Sequence, residues 1–224
     1  MMLRAEGISR RFFRNGKGTN YFTAVHKADF TLPRGKLTAI TGRSGSGKTT
    51  FINMLAGLLT PSEGKVLLDG IDIYSCGDTE RSLMRNKHIG VIPQGHTGLQ
   101  SLTVLENVLA PSMMYGKERD NTDKAVRLLE RMGIAELSEV YSNELSGGEL
   151  RRMSIARALI NSPEIIIADE PTSDLDGDST RLVMELLKQL ADSGAAVLIV
   201  THDKQAAGYA DTVLNMDTGK LLST

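Results

Sequence analysis

The sequence predicts an α/β fold with a mostly parallel central sheet, an N-terminal antiparallel β-subdomain and an inserted α-helical subdomain. Two short runs, 165–168 and 196–200, are apolar without interruption, which is typical of parallel strands buried on both faces. Strand and helix patterns alternate in the two flanks of the chain, whereas helical patterns dominate between them. We therefore expect one domain over residues 1–224, with the helical subdomain at approximately 95–162.

Extended segments dominate the chain before residue 94. The first of them, 3–9, leads into a basic stretch at 10–14, and a Pro-Arg-Gly turn at 33–35 ends the second. A further turn is expected at 61–64. In this part of the chain we predict strands at 3–9, 21–32, 36–41, 65–68 and 88–92, and helices at 50–57 and 80–87.

Capping signals mark the helices of the second half. Thr103 and Ser146 are each followed three residues later by a glutamate, Glu106 and Glu149, and this spacing is that of a capping box. In isolation, helix capping explains Ser146 and Glu149 fully. The patterns predict helices at 103–110, 123–132, 150–161 and about 179–192, and strands at 165–168, 196–200 and 211–217.

The composition limits the possible partners and compartments. The chain has 224 residues, of which 41% are hydrophobic and 24% charged, as in an ordinary globular protein. A net charge of −1 argues against a nucleic-acid partner. The single cysteine, Cys76, fits a reducing cytosol. Because no apolar stretch approaches the ~18 residues of a membrane span, we expect the chain itself to be soluble.

A glycine-rich segment lies between the predicted strand 36–41 and the predicted helix 50–57. Its glycines let backbone N–H groups curve around a polyphosphate, and the helix adds its positive N-terminal end. Lys48 supplies a charge to the β- and γ-phosphates, and the Thr49 hydroxyl is suited to bind Mg²⁺. A flexible Gly-Ser loop is the alternative. The context favours a nucleotide-binding P-loop NTPase core, whose loop comprises Gly42, Arg43, Ser44, Gly45, Ser46, Gly47, Lys48, Thr49 and Thr50.

Two acidic residues, Asp169 and Glu170, directly follow the predicted buried strand 165–168. Adjacent carboxylates at the end of a buried strand are costly unless they serve a cation or a reaction. They are therefore candidate metal-binding or catalytic residues.

Taken together, the motifs resemble the ATP-binding-cassette (ABC) ATPase domain, and the resemblance covers the whole chain. The phosphate loop alone is shared by many NTPases, but a Ser-Gly-Gly signature just before an arginine-rich helix is specific to this family. The matching features, in chain order, are the phosphate loop, Gln94, the signature segment 145–149 (Leu-Ser-Gly-Gly-Glu), Asp169-Glu170, 173–176 and His202.

The resemblance implies how ATP and Mg²⁺ would be used. Asp169 would hold Mg²⁺ through water, with Thr49 and Gln94 completing the protein contacts to the ion. Glu170 would be the general base for the attacking water, and His202 would bond the γ-phosphate. Among the catalytic groups we therefore expect Lys48, Gln94, Glu170 and His202.

The adenine site is expected on an aromatic residue. Phe12 aligns best with the aromatic that stacks on adenine in this family, and Phe13 is the alternative, because the long loop after it blurs the alignment. The remaining histidines, His26, His88 and His96, match no motif.

The same resemblance implies a second cassette. Two copies would pack head to tail, so that the signature residues Ser146, Gly147, Gly148 and Glu149 cap the ATP bound by the opposite chain. Asp174 and Asp176 lie on the loop that would link the two sites. A C2 homodimer is the simplest arrangement, and a heterodimer stays open. Position 149 is Glu where many members have Gln, and position 174 is Asp where small residues are commoner.

The branch resembled is that of stand-alone ATPases from lipoprotein-release, macrolide-export and antimicrobial-peptide-export systems. This implies a separate membrane permease and a cytoplasmic location, peripheral on the cytoplasmic face of the membrane. An importer-type ATPase and a soluble ATPase of an assembly system are the alternatives. We expect the permease to dock on 95–103, where Leu99 and Leu102 are apolar, although these leucines could simply begin the following helix.

Overall fold

The computed structural model describes residues 2–14, 20–95, 98–116 and 121–223. Most of the long loop expected after Phe13, and also His96, lie outside the described residues. In chain order, the elements are β1 Leu3–Arg14, β2 Asn20–Leu32, β3 Lys36–Thr41, α1 Lys48–Leu55, β4 Glu63–Leu68, β5 Ile71–Asp72, α2 Asp78–His88, β6 Ile89–Ile92, α3 Val104–Met113, α4 Thr122–Arg131, α5 Gly147–Leu159, β7 Ile165–Asp169, α6 Gly177–Asp192, β8 Ala196–Val200, α7 Lys204–Ala207, β9 Thr212–Asp217 and β10 Lys220–Ser223.

The smaller sheet is antiparallel, with strand order β2-β1-β4-β5, and confirms the predicted N-terminal β-subdomain. β1 is longer than predicted: it continues through the basic stretch 10–14, because pairing with β2 extends to Phe13 opposite Tyr21 and beyond. β4 begins at Glu63, inside the segment 61–64 where we expected a turn. Both differences arise from pairing with a distant strand.

The larger sheet has the order β10-β9-β3-β8-β7-β6 and is parallel except for the β9–β10 pair. This confirms the predicted, mostly parallel central sheet. Every residue of β7 and β8 is buried, as their uninterrupted apolar sequences predict. The sequence did not indicate β10, which forms a hairpin with β9 through Thr218 and Gly219, both at positive φ. The short helix α7 was also not predicted.

The central sheet separates two apolar cores. Side chains of β7 alternate between them: Ile166 and Ala168 pack with the core residues of α3, α4, α5 and α6. Ile165 and Ile167 point to the other side and pack with α1 and the antiparallel sheet. In the described ranges, no helix combines the length and apolar character that crossing a membrane requires.

The carboxyl ends of β3, β7 and β8 meet at one edge of this sheet. Val200 is the register partner of both Ile40 and Asp169. Beyond the paired residues, the Glu170 N–H donates to the Val200 carbonyl (2.8 Å) and the Thr201 N–H to the Ile40 carbonyl (3.1 Å). The phosphate loop, Glu170 and Thr201 therefore leave the sheet side by side.

Candidate active site

The glycine-rich loop between β3 and α1 has a shape that only glycine allows at two positions. Gly42 and Gly47 have φ angles of 151° and 101°. A Cβ atom on Gly42 would lie 2.2 Å from the carbonyl oxygen of Met216, and one on Gly47 would lie 2.3 Å from that of Ala24. Because both neighbours are backbone atoms, they have no room to move aside.

Lys48 begins α1 immediately after this loop. Its side chain is buried, and Nζ donates to the carbonyl oxygens of Gly42 (2.8 Å) and Arg43 (2.9 Å). The helix has no side-chain cap at Gly47 and no acidic residue in its first turn. The start of α1 therefore combines a helix N-terminus with a fixed ammonium group, which is a site suited to an anion.

Asp169, the last residue of β7, is buried beside the start of α1. The Thr49 side chain is hydrogen-bonded to it. Burial raises the pKa of the Asp169 carboxyl above its usual value, and the neighbouring charge of Glu170 acts in the same direction. The Thr49 hydrogen bond, Lys48 and Arg151 lower the pKa and partly offset the effect of burial.

Glu170 is held by two side chains from the loop after β8. Its Oε1 lies 2.7 Å from His202 Nδ1, and its Oε2 accepts a 3.1 Å hydrogen bond from the Thr201 hydroxyl. The Thr201 hydroxyl itself accepts from the Asp203 N–H (3.0 Å), which fixes its direction. Glu170 is buried and has a φ of 49°, an uncommon conformation for a residue with a Cβ. The backbone and its neighbours thus fix this carboxylate in one orientation.

A cavity of about 550 Å³ gathers most of the predicted ATP and Mg²⁺ residues. The phosphate-loop residues Gly42, Arg43 and Ser46 belong to the loop but do not line this cavity. The lining residues are Phe12, Phe22, Ala24, Ser44, Gly45, Gly47, Lys48, Thr49, Thr50, Gln94, Asp169, Glu170 and His202.

The aromatic end of the cavity is formed by Phe12 and Phe22, which face each other across β1 and β2. The guanidinium carbon of Arg10 lies 4.8 Å from the centroid of the Phe12 ring. Phe13, the alternative base-stacking residue, lies outside the lining and packs edge to face on Tyr21, with ring centroids 5.5 Å apart. The geometry therefore favours Phe12.

Ser146, Gly147 and Gly148 line a different concave surface of about 540 Å³, which shares no residue with the cavity and which Glu149 does not line. Ser146 begins α5 with a capping box, as predicted: its N–H (2.8 Å) and hydroxyl (2.6 Å) both donate to Glu149 Oε2. These hydrogen bonds lower the pKa of the Glu149 carboxyl. The remaining lining residues are Arg152, Asp174, Leu175, Asp176 and Ser179.

The segment that follows Gln94 is anchored by a buried asparagine. The Asn107 side chain accepts from the Leu99 N–H (2.8 Å) and donates to the carbonyls of Leu102 (3.1 Å) and Thr103 (2.9 Å). Leu99 is 49% exposed, whereas Leu102 is partly buried. Of the two leucines proposed for docking, Leu99 is the more available to a partner.

Several residues at the site were not predicted from the sequence. Phe22 could have been found from the register of a β1–β2 hairpin, and Thr201 from its position beside His202. Arg151 could not, because an arginine on a helix is normally a surface residue. It is only 1% exposed, and its Nη2 donates to the carbonyl oxygens of Asp169 (2.6 Å) and Glu170.

Comparison with protein families gives a match to the ABC transporter family over residues 25–173. The lipoprotein-releasing system ATP-binding protein LolD of Shewanella sp. (strain MR-7) is 39% identical over 223 residues, which is 99% of this chain and 95% of LolD. The macrolide export ATP-binding/permease protein MacB of Shewanella sp. (strain W3-18-1) is 38% identical over 99% of this chain. That alignment covers 34% of MacB, so the chain spans about a third of that relative.

Solved structures of ABC transporter cassettes also superimpose on this chain. The dimeric bacterial ABC transporter cassette MJ0796 superimposes with a TM-score of 0.90 at 31% identity, covering 98% of this chain and 96% of that one. A dimeric post-hydrolysis state of MJ0796, bound to ADP and Pi, superimposes with a TM-score of 0.88 over the same shares of the two chains.

Proposed function

This chain belongs to the ABC transporter family, and from that membership we propose that it is the ATP-hydrolysing subunit of a transporter whose membrane permease is a separate polypeptide. The main support for the proposal is that residues of the phosphate loop line the same cavity as Asp169, Glu170 and His202. The names of LolD and MacB, which associate ATP binding with lipoprotein release and macrolide export, support an export-type system.

ATP would lie along the length of this cavity. The triphosphate would lie against the loop 42–50, whose course depends on Gly42 and Gly47, because a Cβ at either position would collide with a backbone carbonyl. Lys48 lines the same cavity. In doing so it would replace the two carbonyl contacts that Lys48 Nζ makes in this structure. The base would stack on Phe12, at the aromatic end of the same cavity.

The oxygen donors at the phosphate end suit Mg²⁺. Thr49 and Gln94 would bind the ion directly and Asp169 would hold it through water. Among the described residues, no group of three or more His, Cys, Asp or Glu side chains forms a metal cage. This fits Mg²⁺, which proteins usually bind through one or two carboxylates together with substrate phosphates. When bound, Mg²⁺ neutralises charge that develops on the phosphates during transfer.

Hydrolysis would depend on Glu170 as the general base. Its carboxylate is fixed by Thr201 and His202 and lies in the same cavity as Lys48. His202 would donate to the γ-phosphate and orient the water, and Lys48 would stabilise the transferred group. Gln94 would move with changes at the nucleotide site and would transmit this movement to the segment that follows it.

The signature surface lies apart from the nucleotide cavity of its own chain, so it would reach a bound nucleotide only in a second cassette. We propose an ATP-dependent, head-to-tail dimer in which Ser146, Gly147, Gly148 and Glu149 cap the γ-phosphate bound by the partner. The N-terminus of α5 would supply the N–H groups for this contact. The dimeric neighbour MJ0796 supports this assembly.

The permease would dock on the segment 95–103 of the helical subdomain, which we place at about 95–162. This assigns the chain to the cytoplasmic face of the membrane as a peripheral subunit. An importer-type ATPase and a soluble assembly ATPase use the same cassette and are the competing functions.

Affinity purification of the full chain from its own cells in mild detergent tests the transporter assignment. We expect a membrane permease with extracytoplasmic domains to co-purify and to stimulate hydrolysis of MgATP. Co-purification of an importer-type permease would instead assign the chain to the importer branch of the family. Purification of an active ATPase with soluble partners only would favour the assembly function.

A further inference from the structure

Arg151 is the largest of the fully buried side chains, although it carries a permanent positive charge. It lies in the first half of α5, two residues after Glu149. Among the described residues it makes no ion pair with a carboxylate. Burial lowers the pKa of its guanidinium, whereas the charges of Asp169, Asp174 and Glu170 act in the opposite direction. A buried charge without an ion pair is costly, so its hydrogen bonds need to be unusually complete.

The guanidinium donates only to backbone carbonyls. Nη2 donates to Asp169 (2.6 Å) and Glu170, and Nε donates to Pro171 (3.2 Å). Nη1 donates to Pro93 and, at 3.5 Å, to Gly95. All these oxygens lie at or just beyond the carboxyl ends of β6 and β7, where the chain leaves the sheet and its carbonyls need donor partners other than a neighbouring strand.

The acceptors belong to the two segments that flank the catalytic site. Pro93 and Gly95 are the immediate neighbours of Gln94, and the other three carbonyls extend from Asp169 through Glu170 to Pro171. The donor stands on the helix that begins with the signature. One side chain therefore links α5, the glutamine segment and the general base.

We propose that Arg151 is a positioning residue for hydrolysis, which holds Gln94 and Glu170 in a fixed relation to the signature helix α5. Its removal would leave the phosphate loop intact, because no contact from Arg151 reaches residues 42–50. ATP binding and hydrolysis should therefore respond differently to its loss. This inference rests on the proposed roles of Gln94 and Glu170.

Only arginine suits this position. Its planar group offers five N–H donors in a fixed fork, whereas lysine offers three on a single rotating centre. Methionine has similar length and no donors. The variants Arg151→Lys and Arg151→Met therefore reduce the number of side-chain N–H donors in two steps, first from five to three and then to none.

The experiment compares these variants of the full chain with wild type at a temperature at which all are folded. We expect Arg151→Met to lower kcat at saturating MgATP by about 10- to 100-fold, because small displacements of catalytic groups have effects of this size. Its ATP Kd, measured by calorimetry, should stay close to the wild-type value. Arg151→Lys should recover part of kcat. Hydrogen exchange should accelerate together in peptides covering 89–95 and 165–173, a readout that does not depend on turnover.

Arg157→Met is the matched control. Arg157 is on the same helix and is half-buried, and its Nη1 lies 3.4 Å from Asn107 Oδ1. It should keep the wild-type kcat per folded molecule. An Arg151→Met protein with unchanged kcat, or with ATP affinity reduced as much as kcat, would overturn the proposal. If Arg151→Met does not fold, Arg151→Lys is the test variant. Full ATPase activity of Arg151→Lys, with unchanged hydrogen exchange in both peptides, would then overturn the proposal.

Discussion

His202 Nδ1 lies 2.7 Å from Glu170 Oε1, although the His202 side chain is 75% exposed and that of Glu170 only 11%. Because a carboxylate only accepts hydrogen bonds, Nδ1 carries the proton in this contact. The pair thus fixes the carboxylate of the base and the imidazole ring relative to each other.

Replacing Glu170 by Gln should abolish turnover and leave ATP binding intact. The amide preserves the size of the side chain and can still accept from Thr201, but it cannot take the proton of the attacking water. We expect kcat to fall by at least about 100-fold, the lower end of general-base effects. Steady-state assays and calorimetry measure the two quantities. Glu185→Gln, on α6 outside the cavity, is the control and should hydrolyse ATP normally.

The Glu170→Gln protein also provides a test of the second cassette. With hydrolysis blocked, it should accumulate as an ATP-bound dimer in size-exclusion chromatography. Adding Ser146→Arg should abolish this dimer, because a bulky cation would replace the cap at the N-terminus of α5. Ser193→Arg, at the opposite end of α6 from the signature surface, should leave the dimer intact. A dimer that persists with Ser146→Arg would show that the signature does not act in trans.

Phe12→Ala should weaken binding of ATP but not of tripolyphosphate, which has no base to stack. Loss of one aromatic contact corresponds to about 1 kcal/mol, or roughly fivefold in Kd. Phe13→Ala is the matched control, since Phe13 packs on Tyr21 outside the cavity. Calorimetry with both ligands separates the base site from the phosphate site. If Phe13→Ala weakens ATP binding more than Phe12→Ala does, the adenine stacks on Phe13 instead.

Local signals in the sequence were sufficient for much of the fold and for most of the cavity. The capping boxes at Thr103 and Ser146 are present as predicted, because each depends on residues only three positions apart. The buried strands β7 and β8 follow from composition alone.

What the sequence did not predict depends on distant partners. β1 continues through 10–14 and β10 exists only because another strand pairs with each of them. Phe22 enters the cavity through its register opposite Phe12. The buried Arg151 donates to backbone carbonyls at two separate strand ends, and hydrophobic periodicity contains no information about such carbonyls.

Leu99 lies on the surface that we propose couples the ATPase to its permease. Leu99 is exposed because Asn107 and Ser142 hold the backbone of its segment from the inside: the Ser142 hydroxyl donates to the Leu99 carbonyl (2.9 Å). A partner helix could therefore pack on Leu99 without disturbing the cavity.

We predict that Leu99→Asp leaves the ATPase rate of the isolated chain largely unchanged, because the side chain makes no contact with the nucleotide cavity. Stimulation by the co-purified permease in reconstituted membranes should be lost, since a carboxylate would be buried against an apolar partner. Leu58→Asp is the matched control, because Leu58 has a similar exposure of 53% and lies outside the segment. Equal stimulation of both variants would move the docking surface away from 95–103. Loss of basal activity in Leu99→Asp would mean instead that Leu99 supports the fold of the segment, as expected if the leucine serves mainly to begin α3.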